Sequence, residues 1–193
     1  MPDELEIRAF KDDAAFEKWL AKNHERSDGL WVKIAKKASG IQSITHPEAL
    51  DVALCYGWID GQRNALDDEY FLQRFTPRRK RSKWSTRNRE YVERLTKAGR
   101  MQPAGQAEID RAKADGRWEA AYDGPARIAV PDDLSEALGA DPAAAKTFAG
   151  LSSANRYAIL FRLHDAKKPE TRARRMQTYL EMLREGRGPH DRV

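Results

Sequence analysis

The stretch Phe75 to Asn88, FTPRRKRSKWSTRN, holds six Lys or Arg residues, one Trp and no acidic side chain. From Arg74 to Met101, eleven basic residues stand against two acidic ones, Glu90 and Glu93. Cations at a helix start add to the positive end of the helix dipole. A phosphate or carboxylate would therefore be stabilised near Ser82, Ser85 or Thr86. Three readings stay open: a solvated basic loop, a site for a small anionic or peptide ligand, and a nucleic-acid contact. The last lacks the aromatic and basic interleaving of single-strand binders, because only Trp84 lies inside the run. It also lacks a helix-turn-helix or RNA-recognition signature.

Other reactive groups are sparser. Asp60, Asp67, Asp68 and Glu69 cluster, and one could act as a general acid or base, with Arg74 and Arg78 clamping an anionic substrate. No partner at a defined spacing supports this, and a turn at Trp58 to Gly61 followed by a solvated loop is the plainer account. His24, His46, His164 and His190 are scattered, and Cys55 stands alone. No metal-ligand spacing results, and no cofactor is implied. Cys55 lies in an apolar pattern, ALCYGW, which suits a buried, inert thiol. No nucleophile elbow, P-loop or dinucleotide fingerprint is present. Catalysis is the weaker expectation. Lys167 to Arg175 form a second basic cluster, expected to be solvated or ion-paired at a helix start.

These groups sit in a chain of 193 residues with 40% apolar and 34% charged side chains and a formal charge of +5. The core can be substantial, and an anionic partner is compatible with the charge. The first residues, MPDELEIRAF, have no signal-peptide pattern, and no apolar run suffices to span a bilayer. A cytoplasmic protein without membrane insertion is expected.

Periodicity supplies the elements that must position the groups. LEIRAF (5–10), LWVKIAKK (30–37) and 70–75 read as strands. A helix capped by Asp12 or Asp13 runs to Asn23, and Thr45-His46-Pro47-Glu48 is a capping box opening another. Ser82 or Ser85 starts a helix to Ala98 with Trp84 facing inward, and a further helix covers 104–114. Beyond Gly124 the pattern is all-helical: 132–138, 142–149, 153–166 and 170–185, broken at Gly139, Gly150 and Lys167-Lys168-Pro169. A cationic partner would meet like-charge repulsion at the basic run, and the acidic stretch Asp132 to Asp141 is the only obvious counter-site, a small one. Two parts are predicted, an α+β domain over 1–124 and a helical region over 125–193.

Six ordered motifs carry a resemblance: THPEALDVALCYGWIDG (45–61), RFTPRR (74–79), SKWSTRN (82–88), GRMQPAG (99–105), DGRWEAAY (115–122) and AKKPETRARR (166–175). Together they resemble the YdeI/OmpD-associated, bacteriocin-protection family over roughly residues 5 to 187. The resemblance implies a YjbR/CyaY-like α+β fold on a small antiparallel sheet, followed by an OmpD-associated-type helical region. It implies no catalytic residue. Its motif positions are the candidate ligand-binding residues: Trp58, Asp60, Gly61, Arg74, Thr76, Arg78, Ser82, Trp84, Ser85 and Asn88. The combined expectation is a non-catalytic binder of an anionic small molecule or nucleic acid. The alternatives are an enzyme on a phosphorylated or carboxylated substrate and a resistance factor using a protein partner on its C-terminal helices.

Overall fold

A computed structural model describes residues 5–191, which divide into two units, one running to Ala121 and the other starting at Tyr122. In the first, strand β1 (Ile7–Ala9) leads into helix α1 (Asp13–Asn23), where the Asp12 side chain accepts a hydrogen bond from Ala15 N. That cap satisfies one of the free amides of the first turn. Strand β2 (Leu30–Ala35) follows, and Leu30, Val32 and Ile34 are buried while their neighbours are half-buried. Helix α2 (His46–Cys55) carries the predicted capping box, with Thr45 and Glu48 each serving the other's backbone. Strands β3 (Trp58–Ala65) and β4 (Tyr70–Pro77) form a hairpin. Helices α3 (Thr86–Lys97) and α4 (Pro103–Ala114) complete the unit's regular elements.

The sheet order is β1-β2-β4-β3. It is mixed, which corrects the antiparallel expectation: β1 pairs parallel with β2, and the other two ladders are antiparallel. A parallel pair needs a long crossover, and α1 with its flanks supplies it. A second correction concerns Trp58 to Gly61, which is the first half of β3 and not a turn. Helix α2 stops because Gly57 takes a left-handed φ of 73°, a conformation that favours glycine. A Cβ there would also lie 2.9 Å from Glu108 Cγ and 3.0 Å from Ala104 O. The chain can therefore switch from helix to strand directly beneath α4.

The hairpin turn forms where Asp67 accepts hydrogen bonds from Glu69 N and Tyr70 N, so the solvated-loop expectation holds for that carboxylate. Between Asp60 and Arg63 the β3–β4 register shifts. Gln73, buried opposite this bulge, donates to Gly61 O and Gln62 O. A buried side-chain amide thus replaces ladder bonds that the bulge removes.

One sheet face builds the core. Phe16 and Leu20 of α1, Leu50 and Leu54 of α2, Leu30, Val32 and Ile34 of β2, and Phe75 of β4 all belong to one buried cluster. Each such side chain stabilises the fold by about 1.5–3 kcal/mol relative to exposure.

The second unit is helical, as its periodicity predicts: α5 (Asp132–Gly139), α6 (Pro142–Gly150), α7 (Ser153–His164) and α8 (Pro169–Arg184). It has a core of its own, in which Leu134, Phe148, Ile159, Leu163, Tyr179 and Leu183 meet. Among the described residues, no helix is long and apolar enough to cross a membrane.

Candidate functional site

The basic run does not stay together as a surface patch. Arg78 is buried, so the solvated-loop reading does not hold for it, and its guanidinium lies 3.6 Å from the centre of the Trp84 ring. Its Nη1 donates to Lys83 O at 3.2 Å. Trp84 is a core residue, placed just before the N-cap Ser85, and its ring lies 5.0 Å edge-on from that of Trp118. Arg89 and Lys113 sit 5.1 and 5.4 Å from the centre of Trp118. The result is a ladder of two contacting rings flanked by cations, Arg78 on Trp84 and Arg89 with Lys113 on Trp118, in which ring quadrupoles attract partly desolvated cations. Arg89 also donates to Trp118 O, and Arg117 donates to Ser82 O. Burial pushes the Glu108 carboxyl above its ordinary range, against the pull of Arg111, Arg78 and Arg117.

Further cations of the run have local tasks. Arg87 donates to Tyr91 Oη, Arg94 grips both oxygens of Asp51, and Arg100 lies 3.8 Å from Asp13. The turn itself is different. Arg79 N donates to Ser82 Oγ and Ser82 N returns a bond to Arg79 O, so backbone and hydroxyl set its shape. The side chains of Arg79, Lys80 and Arg81 are exposed and have no hydrogen bond or ion pair among the described residues.

The other sequence-predicted residues scatter over three environments. Trp58 is buried and donates from Nε1 to His24 O. Ser85 caps α3 by accepting from Asn88 N at 3.1 Å, and Asn88 is itself buried. Gly61 lies in the bulge. Thr76 packs its methyl beside Gly29, where a Cβ would approach to 2.8 Å. Asp60 stands opposite Phe75 in the register, so it shares the core face of the sheet, whereas Arg74, the adjacent position on β4, belongs to the second face. With Arg78 turned into the tryptophan ladder, the acid and the two clamps do not converge.

Asp60 has a partner that sequence spacing did not suggest. His46 Nε2, in the first turn of α2, lies 3.0 Å from Asp60 Oδ2, with both groups half-buried. An ionised carboxylate only accepts, so this nitrogen carries the proton. Fourteen residues separate the two, outside any helical or metal-ligand spacing. The available signal was the capping box, which places His46 where α2 meets the sheet. Among the described residues, no group of three His, Cys, Asp or Glu side chains could hold a metal ion. Cys55 is buried, and burial pushes its thiol up to about 11, consistent with the inert-thiol reading.

In the second unit two carboxylates of the acidic stretch are already paired. Arg172 donates from Nε and Nη2 to the two oxygens of Asp133, and Arg184 pairs with Asp141 at 2.5 Å. Arg172 holds the Asp133 carboxyl below its ordinary range. For Asp141 the Ala144 amide acts first and Arg184 second. The second basic cluster is thus partly ion-paired, and the small acidic counter-site has two of its carboxylates occupied.

A family model described as a domain of unknown function, DUF8412, matches residues 8–108. A second, described as bacteriocin-protection, YdeI or OmpD-associated, matches residues 127–186. No curated protein and no solved structure matches the chain. The OmpD-associated resemblance, expected over nearly the whole chain, therefore holds for the helical unit. A YjbR/CyaY-like assignment of the first unit rests on sequence resemblance alone.

Proposed function

Because the chain belongs to the DUF8412 family, a domain of unknown function, we propose its role from geometry: a binding protein for an anionic, phosphate- or carboxylate-bearing ligand. One observation carries this reading. Arg79, Lys80 and Arg81 are consecutive, exposed and unpaired among the described residues, on a turn anchored by the buried Arg78–Trp84 stack. Cations left without intramolecular partners on a firmly held turn keep their field for a ligand. The separation of Asp60, Arg74 and Arg78 favours binding over the clamp-and-acid enzyme.

The test is binding of fluorescein-labelled oligonucleotides and of inorganic polyphosphate at 50 and 200 mM salt. Each phosphate neutralised on a duplex should contribute about 0.9 to the log–log slope. The triple variant Arg79→Ala/Lys80→Ala/Arg81→Ala should lower that slope by two to three such contributions, roughly. An unchanged slope would remove the turn from the reading.

A second reading is favoured by the match of the helical unit to the bacteriocin-protection family. A cleft on α7, lined by Pro125, Ala154, Tyr157, Ala158 and Phe161, offers that unit a mainly apolar contact surface for a protein partner. Direct capture of a cationic peptide is disfavoured, since Arg172 and Arg184 occupy Asp133 and Asp141. A partner recovered with the full chain but lost with Tyr157→Ala would support this reading. Equal recovery with both would end it.

A further inference from the structure

Four of the five tryptophans are accounted for by the core: Trp58, Trp84 and Trp118 are buried members, and Trp19 packs against them. Trp31 is the exception. It lies on β2 between the core positions Leu30 and Val32, so its side chain belongs to the second face of the sheet. It is half-buried and makes no ring contact or side-chain hydrogen bond among the described residues.

The register shows what surrounds it. Trp31 stands directly opposite Arg74 on β4, Lys33 opposite Leu72, and Ala35 opposite Tyr70. Ile7 and Ala9 extend the same face onto β1, and Thr76 pairs with Ile59 of β3. No position on this face is acidic. Arg74 makes no ion pair, and its Nε is without a hydrogen-bond partner among the described residues. Lys33 Nζ lies 3.9 Å from the centre of the Tyr70 ring. The aromatic and basic interleaving that the linear sequence lacks is therefore present across strands, on the two central members of the sheet.

We propose that this face is a binding platform for single-stranded nucleic acid, with Trp31 stacking on a base and Arg74 and Lys33 meeting phosphates. The choice of ligand follows from the chemistry. An exposed sheet face carrying an indole without a ring partner, beside Arg74 and Lys33, neither of which is ion-paired among the described residues, offers base stacking and phosphate neutralisation together. A duplex hides its base faces, and a simple anion has no flat face to stack on the indole ring. The proposal deepens the anion-binding reading and rests on it for the sign of the ligand's charge. It uses residues separate from the Arg79–Arg81 turn.

The experiment measures anisotropy of labelled dT12 and of a 12-base-pair duplex with the full chain, together with quenching of tryptophan fluorescence. The wild type should bind dT12 more tightly than the duplex and show quenching. Trp31→Ala should weaken dT12 binding about 5- to 100-fold, the range expected for one lost base stack, with the circular dichroism of the folded wild type retained at the assay temperature. Trp31→Phe should recover part of the loss. Arg74→Gln should weaken binding and lower the salt dependence by about one phosphate contact. The triple turn variant should keep the preference for dT12 that depends on Trp31, even if the turn reading fails. The proposal is overturned if Trp31→Ala binds dT12 as well as the wild type. It is equally overturned if only a poly-Glu peptide binds in a manner dependent on Trp31.

Discussion

Two pairs of arginines, Arg78 with Arg89 in the first unit and Arg172 with Arg184 in the second, are used in different ways. In the first, Arg78 and Arg89 lie against Trp84 and Trp118 and donate to main-chain carbonyls. In the second, Arg172 and Arg184 reach from α8 to carboxylates at the starts of α5 and α6. A guanidinium on a ring is a packing element, and its worth depends on burial. A guanidinium on an aspartate at a helix start depends on that carboxylate being ionised. Similar basic clusters in the sequence therefore confer different sensitivities. The first unit should respond most to loss of volume and the second to pH.

The largest effect that tests this contrast is truncation of the ladder. Trp84→Ala should destabilise the first unit by about 3–5 kcal/mol, as deletion of large core aromatics does. Urea unfolding followed by tryptophan fluorescence measures it directly, since all five tryptophans precede Tyr122. Arg78→Ala should follow at about 2 kcal/mol, because a desolvated cation–π contact and buried packing are lost together. The neighbouring Arg79→Ala should stay within about 0.5 kcal/mol. Equal effects for Arg78 and Arg79 would contradict the buried position of Arg78.

In the second unit the comparable anchor is neutral. Asn155, buried at the start of α7, accepts from His190 N and donates to Asp191, which in turn accepts from Gly188 N. Asn155→Ala should cost about 1–3 kcal/mol, the range for unsatisfied buried polar groups. The loss should appear in far-ultraviolet circular dichroism and leave tryptophan fluorescence unmoved.

Acid sharpens the comparison further. Asp133, Asp141 and Asp191 have carboxyls held below their ordinary range, by Arg172, by the Ala144 amide and by the Gly188 amide respectively. Such groups stabilise the fold above the unfolded value near 3.9, and the contribution disappears as pH falls through the depressed values. Among the described residues the first unit has one counterpart, Asp115, and an opposing group in Glu108, whose raised value makes acidification favourable to the fold. Helical circular dichroism should therefore fall before tryptophan fluorescence changes during acid titration. Coincident transitions would count against this division.

The smallest expected signal is at Cys55. With its thiol pushed up to about 11, the folded protein at pH 8 should react with Ellman's reagent far more slowly than the unfolded chain. The same shift removes stability as pH rises from the ordinary thiol value, about 8.5, towards 11.

Much of this architecture was legible because it depends on local rules. The Thr45–Glu48 capping box, the Asp12 and Ser85 caps, the alternation in Leu30 to Ala35 and the helical periods after Asp132 each involve residues within one or two turns of one another. The chain could therefore announce them unaided. The burial of Trp84 and Cys55 was legible too, since apolar context biases both inward.

What the tertiary structure alone decided depends on contacts across many residues. It placed β1 parallel to β2, made Trp58 to Gly61 a strand, and joined His46 to Asp60 across fourteen positions. It turned Arg78 onto Trp84, and it set Asp60 and Arg74 on opposite faces of one sheet. It also brought Trp31 beside Arg74, forty-three positions apart. Strand pairing has no local signature beyond alternation, because the register is chosen by side chains from distant strands packing on a shared core. For that reason the sequence could mark its basic run, while only the fold determined which of those cations remain available to a ligand.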